Sequence, residues 1–556
     1  MTISTDNNRA LFRLVIATLF VLIFPLIFEL SFSAHVREGE YNSRLGWAFI
    51  LLLSAIVFRK KWLHSILLVP FIIGGSIDIG YAINFGGVFT TATVEALVNT
   101  DFSEVAEYGA TYSSPLLFSV IAIYWTLSFF LLKGISFNFP KTKIRTGFIV
   151  FGVLLTLVAG HRITVLERYH DTIPGVLGSL PSYYKGHMGL QQEVELRRQL
   201  LSSIDQEATL LNAEETQTYI FFIGESLNRN HMSVYGYHRT TTPEIDSIAN
   251  DLIVFNDVIS SHAQTNASLR VALTQSTAEQ GQEYRKALSI IDIANHAGFK
   301  TWWISNQQPV RATLASIAAQ ANETQFISND YQGVEVNRYD GFMLPYIEKA
   351  IADTAKHKAI FIHMMGSHAQ YSNRYPKEFE YFSDNNVNAY DDDLSSSKIN
   401  AINEYDNSVR YTDYVINQAY KLIQQDPAHI KGLTLLSDHG EEVFDSINIK
   451  GHSPDNVSAD MLEVPMVSWL SEGYKKSREA TVSAMLSNRD RSFRLDNFYH
   501  FAANLMGIRS VYISEKNSLT SSLFQAPTER LVYKKSYERE LKQSQYKQID
   551  SVVDKK

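Results

Sequence analysis

No cysteine occurs among the 556 residues. Disulfides, thiolate nucleophiles and Cys-ligated zinc or iron–sulfur sites are therefore excluded. An oxidising compartment is not, because a large domain need not use disulfides. A basic excess is also missing. The 50 Lys and Arg against 58 Asp and Glu leave a net charge of −8, which argues against a nucleic-acid partner. No internal repeat is visible. The length exceeds one ordinary domain, so at least two are expected. The hydrophobic fraction of 45% hides a split: apolar runs crowd the first 161 residues, and the rest reads as a soluble protein.

Five apolar stretches lie near 11–32, 45–58, 62–84, 110–132 and 146–161. A spanning helix needs about 20 mostly apolar residues. The second and fifth are short, and must borrow flanking residues or thin the bilayer. Five successive runs do not fit a signal peptide, which has one short apolar core. Nine basic residues fall on one side of these spans: Arg9, Arg13, Arg59, Lys60, Lys61, Lys133, Lys141, Lys143 and Arg145. Only Arg37 and Arg44 fall on the other, and loop 86–111 has no Lys or Arg. The positive-inside rule puts the N-terminus in the cytoplasm. An odd number of spans then places everything after residue 161 outside, which in a Gram-negative cell is the periplasm. Glu29 and Asp78 lie near span ends, where a carboxylate can reach the interface cheaply.

Residues 162–210 mix aromatics, Pro174, Pro181 and charges, the composition of interfacial amphipathic helices. Residues 211–526 form the soluble domain. Its charged tail, 527–556, is expected to be an exposed helix or disordered. Strand-like runs alternate with helical patterns: 219–223 (YIFFI), 300–305 (KTWWIS), 359–364 (AIFIHM), 433–436 (LTLL) and 465–470, with helices at 287–297, 341–355 and 396–425. This alternation predicts an open, mostly parallel α/β sheet. Sites in such sheets gather beyond the carboxyl ends of the strands.

Polar residues at those ends are the candidates. Glu225 follows YIFFI and Gly224, Asp438 and His439 follow LTLL and Ser437, and His368 lies past AIFIHM. Carboxylates and imidazoles are the ligands that Zn²⁺ or Mn²⁺ accept when no thiolate is present. Alone, Asp438-His439-Gly440 is equally an exposed polar turn, and Glu225 a neighbour of a helix N-terminus. Together they read as a metal site. Thr265 lies in 260–266 (SSHAQTN), just before a helical segment at 268–277. Its hydroxyl either faces a phosphoryl oxygen at the helix N-terminus or is an ordinary cap. His363 lies inside a strand and reads as a core histidine. His452, in Lys450-Gly451-His452-Ser453, is a further candidate. Periodicity assigns no task to the run 230–243.

Residues 222–237 (FIGESLNRNHMSVYGY), continuing through His238-Arg239-Thr240-Thr241-Thr242-Pro243, resemble the signature of phosphoethanolamine transferases. So do 437–441 (SDHGE), 363–368 (HMMGSH) with Arg374-Tyr375-Pro376, and Tyr405-Asp406-Asn407 with Tyr411-Thr412-Asp413-Tyr414. The resemblance covers nearly the whole chain. It implies an α-helical membrane domain of five spans before an alkaline-phosphatase-like, sulfatase-type α/β domain. Asn228–Ser233, Ile304–Gln308 and Glu441-Glu442-Val443 resemble the lipopolysaccharide-core (CptA-like) branch, as does the lack of cysteine. By this resemblance Glu225, Asp438 and His439 bind one catalytic zinc, with Thr265 as nucleophile and further ligand. A second zinc is allowed for, and Mn²⁺ is the weaker choice. His368 contacts the phosphoryl group or the second metal, and His452 takes a catalytic role. Thr100 and Glu104 resemble a lipid-headgroup contact, although Ala96 stands where the pattern has asparagine.

The implied reaction moves phosphoethanolamine from phosphatidylethanolamine, through a phosphoethanolamine-threonine intermediate, to an envelope acceptor. Core heptose of lipopolysaccharide is the first choice, with lipid A, periplasmic glucans or a protein as others. The implied location is the bacterial inner membrane. The rival enzyme is a phosphoglycerol transferase of the lipoteichoic-acid-synthase type. A non-catalytic membrane sensor or scaffold is the rival from another class. A sulfatase activity fits less, since its modified Cys or Ser motif is not found.

Overall fold

The computed structural model describes residues 5–32, 40–58, 61–87, 89, 93–94, 112–133, 143–165, 172–186, 190–202, 208–307, 313–327, 339–384, 387 and 394–542. Two compact units emerge: Met1–Thr100 with Tyr108–Met188, and Asp101–Glu107 with Gly189–Lys556. Thr100 and Glu104 lie outside the described residues.

The first unit contains the helices α1 (Thr5–Phe32), α2 (Glu40–Phe58), α3 (Lys61–Phe85), α4 (Pro115–Lys133), α5 (Lys143–Thr164) and α6 (Gly175–Gly186). Among the described residues, three segments are long and apolar enough to cross a membrane: Phe12–Ser31, Trp62–Phe85 and Pro115–Lys133. A shorter apolar helix among the described residues is Ile149–Thr164, within α5. Glu29 and Asp78 are paired inside the helical unit. Both are buried against Arg44, whose Nη2 donates to Glu29 Oε1 at 2.5 Å and to Asp78 Oδ2 at 3.1 Å. Asp78 Oδ1 also accepts from the amide of Val176 at 3.0 Å, a carboxylate at the start of α6 where orphan N–H groups favour it. Gly175 has φ +54, and a Cβ there would lie 2.0 Å from Asp78 Oδ2. Only glycine fits this approach.

The second unit begins with α7 (Leu190–Ser202) and is organised by a sheet of seven strands: β1 (Gln217–Gly224), β2 (Leu252–Val254), β3 (Lys300–Ser305), β4 (Glu323–Phe326), β5 (His357–His363), β6 (Ile430–Ser437) and β7 (Met466–Leu470). Their order is β2-β7-β6-β1-β5-β3-β4. β1 is buried on both faces, as a central parallel strand should be. Tyr219, Phe221 and Ile223 point into one core with Trp303 and Phe361, while Ile220 and Phe222 point into the other with Trp302 and Ile304. The long helix α9 (Ser396–Gln425) packs in this second core.

The sheet is mixed, with four of its six pairings parallel. The pairings β1–β5, β1–β6, β3–β5 and β3–β4 are parallel, whereas β7 runs antiparallel to both β6 and β2. The reason lies in the connection. A parallel return needs a crossover, usually helical, and the segment between Ser437 and Met466 holds only two short strands and turns. Residues 530–541, which their charge marks as exposed, are packed instead. Tyr537 and Leu541 are buried against Ile259, Ala263 and Met461, and the buried Arg530 pairs with Asp257 and Glu538 at 2.7 Å each.

Candidate functional site

The four parallel strands β6, β1, β5 and β3 end level with one another: Gly224 pairs with Ser437, Ile223 with His363, and His363 with Ser305. Residues just beyond these ends therefore converge. The chain turns sharply after β1 because Ser226 takes φ +56, an uncommon conformation for a non-glycine residue and one that clusters at functional sites. It is held there by Tyr405, which donates to Ser226 O at 2.7 Å and accepts from Asn228 N at 2.9 Å. Opposite, Gly366 at φ +52 lets the turn after β5 approach Glu225, where a Cβ would lie 2.6 Å from the Glu225 carbonyl oxygen.

Glu225, Asp438 and His439 meet in one buried cluster, with ligand-type atoms within 4.8 Å of one another. His439 Nε2 lies 3.6 Å from Glu225 Oε1 and 3.2 Å from Asp438 Oδ2. Its Nδ1 lies 2.7 Å from Gly440 O, which places the ring proton there and turns the Nε2 lone pair toward the carboxylates. Asp438 Oδ1 accepts from Ser226 N at 3.0 Å and His439 N at 2.7 Å. Asp438 Oδ2 is buried and accepts no hydrogen bond. A carboxylate oxygen and an imidazole lone pair facing each other without a shared proton form a cradle for a cation. Burial pushes the His439 imidazole down, but the carboxylates of Asp438 and Glu225 outweigh it and hold it above its ordinary value. That pocket attracts positive charge. The residues present fit zinc, whose ligands are carboxylate oxygen and imidazole nitrogen.

Thr265 is the first residue of the helix α8 (Thr265–Ala272), and Gln264 is its N-cap. The threonine is thus not an ordinary cap. Its hydroxyl donates to Glu225 Oε2 at 3.0 Å and lies 3.4 Å from His439 Nε2. The loop before it is fixed to the ligand turn, since Ser260 and Ser268 each donate to Asp438 O at 2.6 Å.

His452 stacks near His439, ring centroids 4.1 Å apart, and its Nδ1 lies 2.7 Å from Glu441 Oε2. His439, Glu441 and His452 make a second metal-capable group that shares His439 with the first. Burial pushes the Glu441 carboxyl up to about 7, and pushes the imidazoles of His368 and His452 down to about 3. His368 feels Glu225, Arg374, His452 and His439, so it belongs to the same neighbourhood. His363 is a core histidine, buried within β5 with Nδ1 3.1 Å from Ser305 Oγ.

Two residues at this site lie within quoted motifs, which gave neither a role. Glu441 was legible only as part of SDHGE. Gln307 sits just past β3, and its Nε2 donates to Glu225 Oε2 at 3.0 Å and to Met364 O at 2.8 Å. The strand-end rule that selects Glu225 and Asp438 selects Gln307 equally. The signature run 230–243 is a structural tie. His231 lies between Asp406 at 2.7 Å and Asp445 at 2.9 Å, and Arg239 Nη1 donates to Asp406 Oδ2 and Asn403 Oδ1 at 2.8 Å each. Burial opposes charge on His231, but Asp445 and Asp406 hold its imidazole well above the ordinary value.

Comparison with known proteins extends these observations. The chain is 28% identical over 541 residues to phosphoethanolamine transferase CptA of Salmonella typhimurium, covering 87% of this chain and 92% of CptA. The C-terminal periplasmic domain of EptC from Escherichia coli, solved in complex with zinc, matches with a TM-score of 0.54 at 29% identity, over 58% of this chain and 92% of that domain. The integral membrane protein EptA, lipooligosaccharide phosphoethanolamine transferase A from Neisseria meningitidis, shares the fold over 93% of this chain and 99% of its own, with a TM-score of 0.64 at 16% identity. The sulfatase family model matches residues 217–508, more than half of the chain, and the chain belongs to the sulfatase family.

Proposed function

We propose that this protein transfers phosphoethanolamine from phosphatidylethanolamine to a cell-envelope acceptor through an intermediate on Thr265. The observation that carries the reading is the Thr265 hydroxyl, 3.0 Å from Glu225 Oε2 at the edge of the Glu225–Asp438–His439 cluster. Glu225, Asp438 and His439 would hold zinc, with Thr265 completing the set. Bound there, zinc lowers the pKa of a neighbouring hydroxyl and neutralises phosphoryl charge. A second ion would take His439, Glu441 and His452. The named activity of CptA and the zinc in the EptC domain support both parts of the reading.

In the first half-reaction Thr265 Oγ1 forms a bond to phosphorus while the bond to the diacylglycerol oxygen breaks. The hydroxyl proton already points at Glu225 Oε2, which would take it and pass it to the departing oxygen, so that diacylglycerol leaves as the alcohol. In the second, an acceptor hydroxyl or phosphate attacks the same phosphorus and Thr265 leaves. His368 and His452 are neutral at pH 7, so they serve as hydrogen-bond donors to the phosphoryl oxygens rather than as charged acids. With the five spans that the sequence leads one to expect, the membrane helices would tether a periplasmic catalytic unit to the inner membrane that holds its lipid donor. The acceptor we favour is core heptose of lipopolysaccharide, followed by lipid A. Thr100 and Glu104 are assigned to the lipid headgroup by the sequence pattern alone.

Intact-mass analysis of the purified chain with phosphatidylethanolamine tests the reading. Wild type gains one phosphoethanolamine, and Thr265→Val gains none while keeping the wild-type fold and retaining zinc through Glu225, Asp438 and His439. Consumption of phosphatidylglycerol instead would transfer the assignment to a phosphoglycerol transferase. An adduct that persists in Thr265→Val would overturn the nucleophile.

A further inference from the structure

The helices α2 and α5 are packed tightly at one level and separated at another. A Cβ on Gly152 of α5 would lie 3.1 Å from Leu53 of α2, and Phe49 meets Phe151 edge to face at 5.5 Å. Toward the start of α2 and the end of α5 they part. A Cβ added to Gly46 would meet nothing within 4 Å. The gap is a cavity of about 520 Å³ lined by Asn42, Ser43, Gly46, Trp47, Ile50, Leu155, Val158, Ala159, Arg162 and Thr172, within the size range of ligand pockets.

Its lining is graded along the helices. Asn42 and Ser43 open α2 and Arg162 closes α5, so the antiparallel pair brings them to the same end. Ile50, Leu155 and Val158 lie further in and are apolar. Thr172 closes the polar end and orients two of these side chains: Trp47 Nε1 donates to Thr172 O at 2.6 Å, and Arg162 Nε donates to Thr172 Oγ1 at 3.2 Å. The opposite side of the first turns of α2 is pinned by Arg44 to Glu29 and Asp78, so the groove is formed before anything enters it. One guanidinium at the polar mouth of an apolar groove, on helices rich in exposed Leu, Val and Phe, matches one chemistry: a phosphodiester on an acyl chain. Arginine suits that group because its planar fork pairs with phosphate oxygens.

We infer that the α2–α5 groove is a binding site for one glycerophospholipid, its phosphodiester on Arg162 and an acyl chain along Gly46, Ile50, Leu155 and Val158. The site is independent of the transferase reading and lies wholly within the first unit.

Native mass spectrometry of the delipidated full-length chain, titrated with phosphatidylethanolamine, phosphatidylglycerol or diacylglycerol, tests it. Wild type should retain one molecule of either phospholipid and no diacylglycerol. Arg162→Gln should weaken retention about tenfold or more, as expected for loss of a charged phosphate contact. Arg162→Lys should restore part of it, and Gly46→Leu should fill the groove and abolish it. Unchanged helix content by circular dichroism in detergent reports that each variant is folded. Equal retention by wild type, Arg162→Gln and Gly46→Leu overturns the site. Equal binding of diacylglycerol overturns the role of Arg162. A dimer lost in Gly46→Leu, with no lipid retained by wild type, would assign the groove to a second copy of the chain instead.

Discussion

Gln307→Leu removes an amide of nearly the same size from the rim of the site. In the structure this amide ties three strand ends together, linking the end of β3 to Glu225 after β1 and to Met364 after β5. The bond to the Glu225 carboxylate is charge-assisted, worth about 1.5–3 kcal/mol, and the bond to the Met364 carbonyl about 0.5–1.5 kcal/mol. Glu225 Oε2 keeps its partner Thr265, so the carboxylate is loosened rather than stranded. The expected fold effect is therefore modest, about 1–2 kcal/mol, or a few degrees in Tm for a domain of this size. The effect on zinc should be larger in kind. Partners that orient a ligand typically contribute 10–100-fold in metal affinity. Competition against a chromogenic chelator, with the purified full-length protein, measures this directly. Gln307→Leu should bind zinc roughly 10–100-fold more weakly than wild type, with turnover restored at saturating zinc. Zinc affinity within twofold of wild type would refute the claim that Gln307 positions Glu225.

Two further predictions concern other parts of the molecule. Burial, only partly offset by the amides of Glu244 and Ile245, pushes the Asp413 carboxyl up to about 7. Because the folded value lies above the unfolded one of 3.8, its contribution is full below about pH 4 and is lost as pH rises through 7, by up to about 4 kcal/mol. Asp413→Asn should thus lose most relative stability at pH 4.5 and least at pH 7.5 in paired thermal melts, and a difference independent of pH would contradict the assignment. Gly175→Ala should destabilise the first unit by about 2–4 kcal/mol through the Asp78 clash and the positive φ. Circular dichroism of the protein in detergent should show earlier loss of helix with zinc binding intact, and a wild-type melt would show that Asp78 yields without cost.

Much of the second unit was legible because its elements are local. KTWWIS matches β3 residue for residue, and 396–425 matches the long helix. Strand ends also located Glu225, Asp438, His439 and His368. What the chain could not reveal was direction and partnership. The run ending in Leu470 reads the same whether the strand runs parallel or antiparallel. The role of Thr265 depends on Glu225 and His439, 40 and 174 positions away. Glu29 and Asp78 read as rim charges because Arg44 looked like one more loop cation. The charge of residues 530–541 suggested exposure, yet Arg530 and Glu538 neutralise each other and Tyr537 covers apolar surface.

That last segment has a consequence for the order of assembly. Tyr533 accepts the amide of Ala263 at 3.0 Å, two residues before Thr265, and its ring meets His262 at 5.5 Å. Tyr537 donates to Glu463, beside the strand that completes the sheet. The loop that carries Thr265 is thus braced by residues made after almost everything else. During synthesis the helices emerge first, the sheet follows, and the loop of Thr265 is clamped only when the chain beyond residue 530 has emerged. A chain cut before residue 530 would keep Glu225, Asp438 and His439 but leave the loop of Thr265 unbraced.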